Sequence, residues 1–339
     1  MRVMELTDWT PDALLPKEKT RPKCSPDGVL IQMQAASLNY RDTVVVRRGY
    51  GRLTGSLPLI PVSDGAGVII ETGDIVTDLK PGDLVTPFFF QDWPSGPYSS
   101  SVSASALGGM RPGVMQEFMA LPARLVAKTP KHFNAIQAST LPCAALTAWN
   151  AIVASGDVKK DDTVVVQGTG GVSLFALQFA RMRQAKVILL SSDERKLEIG
   201  RQHGADHLIN YRQNPDWSQI VREITSGVGA SHIVEVGGAE TLDQSLRSVA
   251  GGGTISLIGV LSGLKPALNL GPVVTQNIRL QGITVGSHAM HREMVQAIEE
   301  QEMEPVIDKH IFGFEEVGEA IANFGRRSHI GKVCIDFSR

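Results

Sequence analysis

The segment TVVVQGTGGVS, Thr163–Ser173, decides the fold class of this chain. A run of apolar and β-branched residues enters a glycine-rich turn and an apolar stretch follows, which is the strand–turn–helix context of dinucleotide-binding turns. Gly168 permits the tight turn, Gly170 lets the backbone approach a pyrophosphate, and Ser173 is small enough for close helix–strand packing. A P-loop is excluded because no Lys-Ser/Thr pair follows the glycines. The candidate cofactor-binding residues of the turn are Gly168, Thr169, Gly170, Gly171 and Val172.

Strand and helix patterns alternate from this turn to about residue 258. Such alternation is typical of βαβ units, so we expect an α/β fold with a doubly wound parallel sheet of the Rossmann type and helices on both faces. The predicted strands are Thr163–Gln167, Lys186–Leu190, His207–Ile209, His232–Glu235, Thr254–Ile258 and Ile278–Val285. The predicted helices between them are Gly171–Arg183, Asp193–His203, Trp217–Thr225 and Thr241–Ala250.

The N-terminal third has a different pattern. Short apolar runs such as Val29–Met33, Gly67–Glu71 and Leu84–Pro87 alternate with turn residues, which favours an antiparallel barrel or sandwich. The Ser-, Gly- and Pro-rich segment Gln91–Gly113 is predicted to be a long surface loop. Further on, Pro142 is expected to interrupt a helical pattern over residues 135–154.

Length and pattern together predict two domains, because 339 residues exceed the roughly 250–300 at which single cores stop growing. A first domain is expected over residues 1–122 and a dinucleotide-binding domain over residues 123–289. The tail from about residue 290 to residue 339, with a closing strand at Lys332–Phe337, is expected to return to the first domain and make it discontinuous.

Composition limits the class of protein. A hydrophobic fraction of 42% with 20% charged residues excludes a disordered or fibrous chain, and a net charge of −2 excludes a basic field for nucleic acid or an anionic membrane. Three cysteines, Cys24, Cys143 and Cys334, argue for a reducing compartment and against a disulfide framework. No stretch approaches the ~18–20 apolar residues of a membrane helix, and MRVMELTDW has no apolar signal core, so the expected location is the cytoplasm.

The residues after the second strand of the alternating region predict the coenzyme preference. An NAD-selecting site has a carboxylate about 20 residues after the glycines to hold the ribose 2′-OH. Ser191 and Ser192 occupy this place and Arg195 and Lys196 follow, which favours the 2′-phosphate of NADP(H). Two alternatives stay open. Asp193 is either the ribose-binding carboxylate or the N-cap of the next helix, and the two basic residues bind phosphate or form a solvated helix face.

Further motifs are spread over the whole chain. They are Ala36–Asp42 (ASLNYRD), Pro61–Gly67 (PVSDGAG), Leu141–Trp149 (LPCAALTAW), His203–Tyr211 (HGADHLINY) and Gly251–Gly259 (GGGTISLIG), together with the glycine turn. With these motifs the chain resembles the medium-chain dehydrogenase/reductase superfamily over its full length. The resemblance implies a GroES-like β-barrel catalytic domain in addition to the Rossmann domain, a nicotinamide cofactor, and Gly259 as a further cofactor-binding residue.

Zinc-dependent members of that family hold a catalytic metal with a Cys, a His-Glu pair and a second Cys. The resemblance places Asn39, Ser63 and Asp64 at the first three positions and Cys143 at the fourth. An amide and a hydroxyl are poor substitutes for a thiolate and an imidazole. The four closely spaced cysteines of the family's structural zinc do not occur in residues 91–113. The chain therefore resembles the zinc-free quinone oxidoreductases and zinc-independent alcohol dehydrogenases.

Charged residues surround the same positions. Arg41 would place a permanent cation beside the vacant metal site, where it is expected to pair with Asp42 or Asp64. Cys143 is expected to be a buried small residue and not a ligand or nucleophile. No metal site is predicted.

Without a metal, hydrogen bonds must polarise the substrate oxygen. The resemblance to quinone oxidoreductases implies that Asn39 and Tyr50 lie near the nicotinamide, and Tyr40 is a second tyrosine candidate. Tyr50 is alternatively a residue that packs within its own loop. By the same resemblance, Thr147 lies against the nicotinamide and Tyr211 contacts the 2′-phosphate.

Three functions are compatible with these residues. The first is an NADPH-dependent reductase of quinones, activated alkenes or carbonyls, with Asn39 and Tyr50 orienting the oxygen of the acceptor. The second is a zinc-free alcohol dehydrogenase that oxidises allylic or aromatic alcohols. The third is a cofactor-binding protein without physiological turnover.

A homodimer is the expected assembly. The predicted strand Ile278–Val285 would leave an open sheet edge with apolar residues at Ile278, Leu280 and Ile283, and such edges invite pairing. The family resemblance implies that two of these edges join into one continuous sheet. A small-molecule substrate is the only other partner expected.

Overall fold

The computed structural model describes residues 1–265 and 268–339, and these residues form two compact units. One unit contains residues 1–146 and 286–339, and the other contains residues 147–285. The strands, in chain order, are β1 (Arg2–Leu6), β2 (Leu14–Glu18), β3 (Gly28–Ser37), β4 (Asp64–Thr72), β5 (Leu84–Pro87), β6 (Phe118–Pro122), β7 (Val126–Lys128), β8 (Thr163–Gln167), β9 (Lys186–Ser191), β10 (His207–Asn210), β11 (Ala230–Glu235), β12 (Val249–Leu257), β13 (Arg279–Gly282), β14 (Ile307–Gly313) and β15 (Lys332–Asp336).

The α-helices have four to 13 residues. In chain order they are α1 (Tyr40–Val45), α2 (Ala135–Ala138), α3 (Leu146–Trp149), α4 (Gly171–Met182), α5 (Glu194–Gln202), α6 (Trp217–Ile224), α7 (Leu242–Ser248), α8 (Gly271–Thr275), α9 (His288–Glu300) and α10 (Val317–Gly325). The two longest are α4 in the second unit and α9 in the first. Within the described residues, no helix has the length and apolar character needed to cross a membrane.

In the first unit, β3 is the centre of a mixed sheet. Val29, Ile31 and Met33 are buried while Gln32 and Gln34 are exposed, as expected for a strand with one buried face. β3 pairs antiparallel with β4, β6 and β15, and the sheet continues through β14 at one side and through β5 and β7 at the other. The C-terminal segment therefore completes the sheet begun by the N-terminal segment.

The second unit contains the parallel sheet that the alternating pattern predicts. Its described residues form the strand order β10-β9-β8-β11-β12-β13, and all pairs are parallel. Val165, Ile188, Ile233 and Ile255 from four neighbouring strands lie in its hydrophobic core. The order of the strands reverses direction at β8, and α/β sheets bind ligands at the carboxyl ends of the strands beside such a reversal.

The segment Gln91–Gly113 corrects one prediction, because it is not a surface loop throughout. It contains a 3₁₀ helix at Ser100–Ser105, and Trp93 and Leu107 are buried. The indole of Trp93 contacts the ring of Tyr98 edge to face, with centroids 5.4 Å apart. A local composition rich in Ser and Gly does not predict aromatic packing of this kind.

The predicted apolar sheet edge is also wrong in detail. The strand covers only Arg279–Gly282, and Ile278 and Ile283 are buried in the unit itself. Leu280 is half-buried, whereas Arg279 and Gln281 are exposed. The helical pattern over residues 135–154 is interrupted at Pro142 as expected, where a π-helical turn begins at Leu141.

Candidate active site

The carboxyl ends of the parallel strands carry most of the residues predicted to bind the coenzyme. β8 ends at Gln167 before the glycine turn, β9 ends at Ser191 and β10 ends at Asn210. Asn210 lies opposite Ser191 in the sheet, and the backbone N–H of Tyr211 donates to the carbonyl of Ser191 at 3.1 Å. The parallel sheet therefore brings together residues from three separate predicted motifs.

The glycine turn has a left-handed glycine at its start and open space beside it. Gly168 has a φ of +76°, a left-handed conformation that favours glycine. A Cβ on Gly170 would have no heavy atom within 4 Å, so the space beside the turn is open. Ser173 is buried, and its hydroxyl donates to the carbonyl of Gln167 at 2.7 Å. The N–H groups at the start of α4, from Gly171 onward, lack intrahelical partners and carry the positive end of the helix dipole.

At the end of β9, Asp193 is the N-cap of α5, which is one of its two predicted roles. Its carboxylate caps α5 by accepting from the backbone N–H of Arg195 at 2.9 Å, and it also pairs with the Arg195 guanidinium at 2.9 Å. These bonds from Arg195 lower the pKa of the Asp193 carboxyl to about 2. Ser191 is buried, Ser192 and Lys196 are half-buried, and Arg195 is exposed in its pair with Asp193.

The sequence analysis missed a buried carboxylate beside the glycine turn. Glu235, at the end of β11, is 0% exposed and accepts five hydrogen bonds of 2.5–3.0 Å. The donors are the Gln167 side chain, the backbone N–H groups of Gly237 and Gly238, and the hydroxyls of Thr241 and Ser245. Because Gln167 directly precedes Gly168, this carboxylate fixes the strand end from which the turn begins.

Two further coenzyme candidates lie in the same unit. Gly259 follows β12, and a Cβ on it would lie 2.3 Å from the carbonyl oxygen of Val236, so only glycine fits against that backbone. Thr147 is buried in α3. No hydrogen bond described for Thr147 ties it to the glycine turn, so its role stays a prediction.

In the first unit, Asn39 lies at the junction of β3 and α1. Its backbone N–H donates to the Asp42 carboxylate at 2.8 Å, which caps α1. Its side-chain oxygen accepts from the ammonium of Lys332 at 2.7 Å. The side-chain nitrogen, Nδ2, is buried and has no hydrogen-bond partner within the described residues.

Buried charges surround this amide. Asp64 is 0% exposed and accepts from the Ser63 hydroxyl at 2.8 Å and from the backbone N–H of Cys143 at 3.0 Å. The Lys332 ammonium lies 3.7 Å from the Asp64 carboxylate and donates to the carbonyl of Leu38 at 2.8 Å. We call Asn39, Asp64 and Lys332 the buried cluster.

Arg41 pairs with Asp42, one of the two partners predicted for it. Its guanidinium donates to the carbonyl of Leu107 at 2.8 Å, lies over the ring of Phe89, and is 4.0 Å from Asp42. Burial raises the pKa of the Asp42 carboxyl to about 6, although Arg41 opposes this shift. The cation beside Asp64 is Lys332, which the sequence analysis did not single out.

The two candidate tyrosines differ in their surroundings. Burial raises the pKa of the Tyr50 phenol, and the charges of Arg41 and Asp42 act on it in opposite directions, so Tyr50 lies within electrostatic range of both. Its side chain is also 44% exposed. Tyr40 begins α1, is 39% exposed, and has the guanidinium of Arg327 over its ring. Tyr50 is therefore the stronger candidate for contact with a substrate.

Comparison with known proteins shows which family the chain is similar to. The family model described as "Alcohol dehydrogenase GroES-like domain" matches residues 25–131, and the model described as "Zinc-binding dehydrogenase" matches residues 171–300. A zinc-type alcohol dehydrogenase-like protein of Schizosaccharomyces pombe is 42% identical, over 96% of this chain and 95% of its own. A "Probable quinone oxidoreductase" of the same yeast is 30% identical over 94% and 91%.

This chain belongs to the medium-chain dehydrogenase/reductase superfamily. A crystal structure of an NAD-dependent alcohol dehydrogenase superimposes with a TM-score of 0.89 and 29% identity, covering 99% of each chain. The resemblance inferred from the motifs is therefore confirmed, as is the combination of a GroES-like domain with a Rossmann-type sheet. The protein is an oxidoreductase of the alcohol dehydrogenase or quinone oxidoreductase type, and the family uses a nicotinamide cofactor.

The residues at the superfamily's catalytic zinc position do not fit that metal. Asn39 and Asp64 already hold the Lys332 ammonium, and Asp64 accepts two further hydrogen bonds. Burial raises the pKa of the Cys143 thiol well above its usual range, so the sulfur keeps its proton. A catalytic zinc takes three deprotonated or neutral N, S or O ligands and leaves one position open. Within the described residues, no group of three or more His, Cys, Asp or Glu side chains could hold a metal ion.

Proposed function

We propose that this protein is a zinc-independent, NADP(H)-dependent oxidoreductase that reduces quinones, activated alkenes or carbonyls. The observation that carries the proposal is the state of the Asn39 side-chain amide. Its nitrogen, Nδ2, is buried and has no partner in the described residues, whereas its oxygen, Oδ1, accepts from Lys332. A buried donor left unbonded costs free energy of roughly 1–3 kcal/mol, which an oxygen of a bound substrate would recover. The donor is therefore suited to an oxygen on which negative charge develops.

The glycine turn, the end of β9 and Tyr211 support a coenzyme role for the second unit. A bound nicotinamide coenzyme would supply or accept the hydride. The proposed ribose site contains three hydroxyls and one cation, from Ser191, Ser192, Tyr211 and Lys196. The nearby carboxylate of Asp193 is bound by Arg195. These features favour a 2′-phosphate and thus NADP(H).

The coenzyme preference is tested by titration of NADPH and NADH into the wild type and Ser191→Asp. We expect tighter binding of NADPH by the wild type, and a shift toward NADH in the variant because a carboxylate repels the 2′-phosphate. Wild-type preference for NADH, as the name of one solved relative indicates for that protein, would refute the assignment.

In the first unit, Asn39 and Tyr50 would act on the substrate. The Asn39 N–H donates to the acceptor's oxygen as electron density moves onto it. The Tyr50 phenol is protonated at neutral pH, as a tyrosine ordinarily is, so its hydroxyl can serve as a second donor. Each such donor in an oxyanion-type site contributes about 3 kcal/mol.

A screen separates this reaction from its alternatives. NADPH oxidation is followed with naphthoquinone, cyclohexenone and cinnamaldehyde, and NADP⁺ reduction with cinnamyl alcohol. Turnover of the quinone or enone supports the proposal. Turnover of the alcohol alone assigns the zinc-free alcohol dehydrogenase reaction; several relatives are named alcohol dehydrogenases, and one is named a zinc-type alcohol dehydrogenase-like protein. Coenzyme binding without turnover of any compound would indicate a cofactor-binding protein.

The proposal includes the absence of catalytic zinc. Asn39 and Ser63 cannot replace a thiolate and an imidazole, and Lys332 already places a cation at the position. Purified protein should contain no stoichiometric zinc and should keep its activity with chelators. Elemental analysis that finds about one zinc per chain would contradict this part of the proposal.

We also propose a homodimer formed through β13 in the cytoplasm. In the described residues β13 is the last strand of the parallel sheet, and Leu270 and Val274 nearby are exposed apolar side chains. An unpaired strand edge with apolar neighbours favours association with a second copy. Light scattering at micromolar concentration should give twice the chain mass, and a monomeric mass would contradict the dimer.

A further inference from the structure

Lys332 reaches Asn39 because of the register of three strands. Cys334 in β15 lies opposite Ser37 in β3, and the two strands are antiparallel, so Lys332 lies beside Asn39. On the other side of β3, Ser37 lies opposite Asp64 in β4. The sheet therefore collects the buried cluster from segments that are far apart in the sequence.

The ammonium of Lys332 is a costly group for this place. Its side chain is 2% exposed, and it is stabilised by the carbonyl of Leu38, the Asn39 amide oxygen and the nearby Asp64 carboxylate. Apolar residues of similar volume often replace a buried ion pair without loss of stability. Stability therefore does not explain the presence of a lysine here, and the atoms that it contacts indicate a different role.

The ammonium decides how the Asn39 amide is oriented. A lysine ammonium has three donors and no acceptor, so the atom that faces it must be the amide oxygen. The amide nitrogen is then turned away from the ammonium, and it is the atom without a partner in the part of the chain that the structure describes. A cationic donor on the oxygen also polarises the amide and strengthens its N–H as a donor.

We propose that Lys332 is a positioning residue for Asn39: it fixes the side-chain amide with its nitrogen available to the substrate oxygen and increases the donor strength of that nitrogen. This inference rests on the proposed function, in which Asn39 donates to the substrate. Without Lys332 the amide is free to rotate, and its oxygen would then repel the developing negative charge.

A double-mutant cycle tests the coupling. The kcat for cyclohexenone with NADPH is measured in the wild type, Asn39→Ala, Lys332→Met and the double variant. We expect a decrease of roughly 100-fold for Asn39→Ala and of about 10-fold or more for Lys332→Met. In the double variant Lys332→Met should cause no further loss, because the lysine acts only through the amide. The KM and the Kd of NADPH should stay close to the wild-type values in all three variants.

Lys332→Met leaves Asp64 unpaired, so folding is controlled separately. In Lys332→Met/Asp64→Asn both charges are removed, and adding Asn39→Ala to these two substitutions should lower kcat by only about 10-fold, which is the part of the Asn39 effect that does not depend on Lys332. A wild-type kcat in Lys332→Met, or an equal additional loss in the Asn39→Ala background, overturns the positioning role. The positioning role is also overturned if Asn39→Ala still lowers kcat about 100-fold in the Lys332→Met/Asp64→Asn background. A wild-type kcat in Asn39→Ala overturns the proposed role of Asn39 as well, so the two failures are distinguishable.

Discussion

The glycine turn of the second unit presents backbone groups, whereas the buried cluster of the first unit presents side chains. The turn offers backbone N–H groups from adjacent residues, beginning at Gly168 with its positive φ. The buried cluster instead combines side chains from β4, β15 and the junction of β3 and α1, and Asn39 and Lys332 are separated by 293 residues. A backbone site is specified by a local motif, whereas a side-chain cluster depends on strand register. The two regions should therefore respond differently to substitution.

The largest expected effect is on the stability of the first unit. Lys332→Met leaves the fully buried Asp64 carboxylate without its cation, which should lower the free energy of unfolding by about 3–5 kcal/mol. Lys332→Met/Asp64→Asn removes both charges and should recover most of that loss. Urea denaturation of both variants measures the difference. Equal stability of the single and double variants would show that Asp64 and Lys332 are not coupled.

The second unit contains a buried neutral histidine, His232, whereas the first unit contains the buried ion pair of Lys332 and Asp64. His232 in β11 is 2% exposed, and burial lowers its pKa to about 4, with Asp162 and Arg279 acting in opposite directions. Because the folded pKa lies below the ordinary value of 6.5, the folded state binds fewer protons. The contribution of His232 to stability is complete above about pH 6.5 and is lost as the pH falls toward 4, a total of about 3 kcal/mol.

His232→Gln should therefore weaken the dependence of stability on pH over this range. Unfolding free energies of the wild type and the variant are compared at pH 7 and at pH 4. The side chain accepts or donates one bond, with the Ser256 hydroxyl at 3.1 Å, which glutamine can retain. Identical pH dependence in both proteins would contradict the buried neutral state of His232.

A smaller effect is expected for two glycines of the second unit, Gly170 in the glycine turn and Gly259 after β12, which should behave oppositely. The Cβ of Gly170→Ala enters open space, so stability should be unchanged while coenzyme affinity falls by roughly 10-fold, because the methyl group occupies the approach to the pyrophosphate. The control, Gly259→Ala, meets the Val236 carbonyl and should destabilise the fold by about 1–3 kcal/mol. Unchanged coenzyme affinity in Gly170→Ala would exclude the turn as the pyrophosphate site.

Local patterns predicted the second unit well because its features are local. The strand before Gly168, the helix after it and the proximity of Ser191 to Tyr211 all follow from alternation and from the shared edge of a parallel sheet. The hydrogen bonds of Glu235 were not predicted, because a single acidic residue at the end of a strand does not indicate which five donors will contact it in the folded chain. Its position directly after an apolar strand was the available sign.

The first unit was predicted less completely. β2 and β14 were missed because Pro16 interrupts LLPKE and because IDKHIFG has too many polar residues for a clear strand pattern. Lys332 lies at the start of the predicted closing strand, but its contact with Asn39 depends on the pairing of β15 with β3. Neither composition nor spacing encodes that register, so Lys332 was not predicted as the partner of Asp64, and Arg41 was expected to pair with Asp42 or Asp64.

The central claim is that the Asn39 amide donates to the substrate oxygen where relatives use a metal. The most direct measurement is kcat of Asn39→Ala with NADPH, using cyclohexenone and naphthoquinone as acceptors. We predict a decrease of roughly 100-fold for cyclohexenone, an unchanged Kd for NADPH, and a smaller decrease for the quinone, which is reduced with little polarisation. A wild-type kcat for cyclohexenone in this variant would contradict the account.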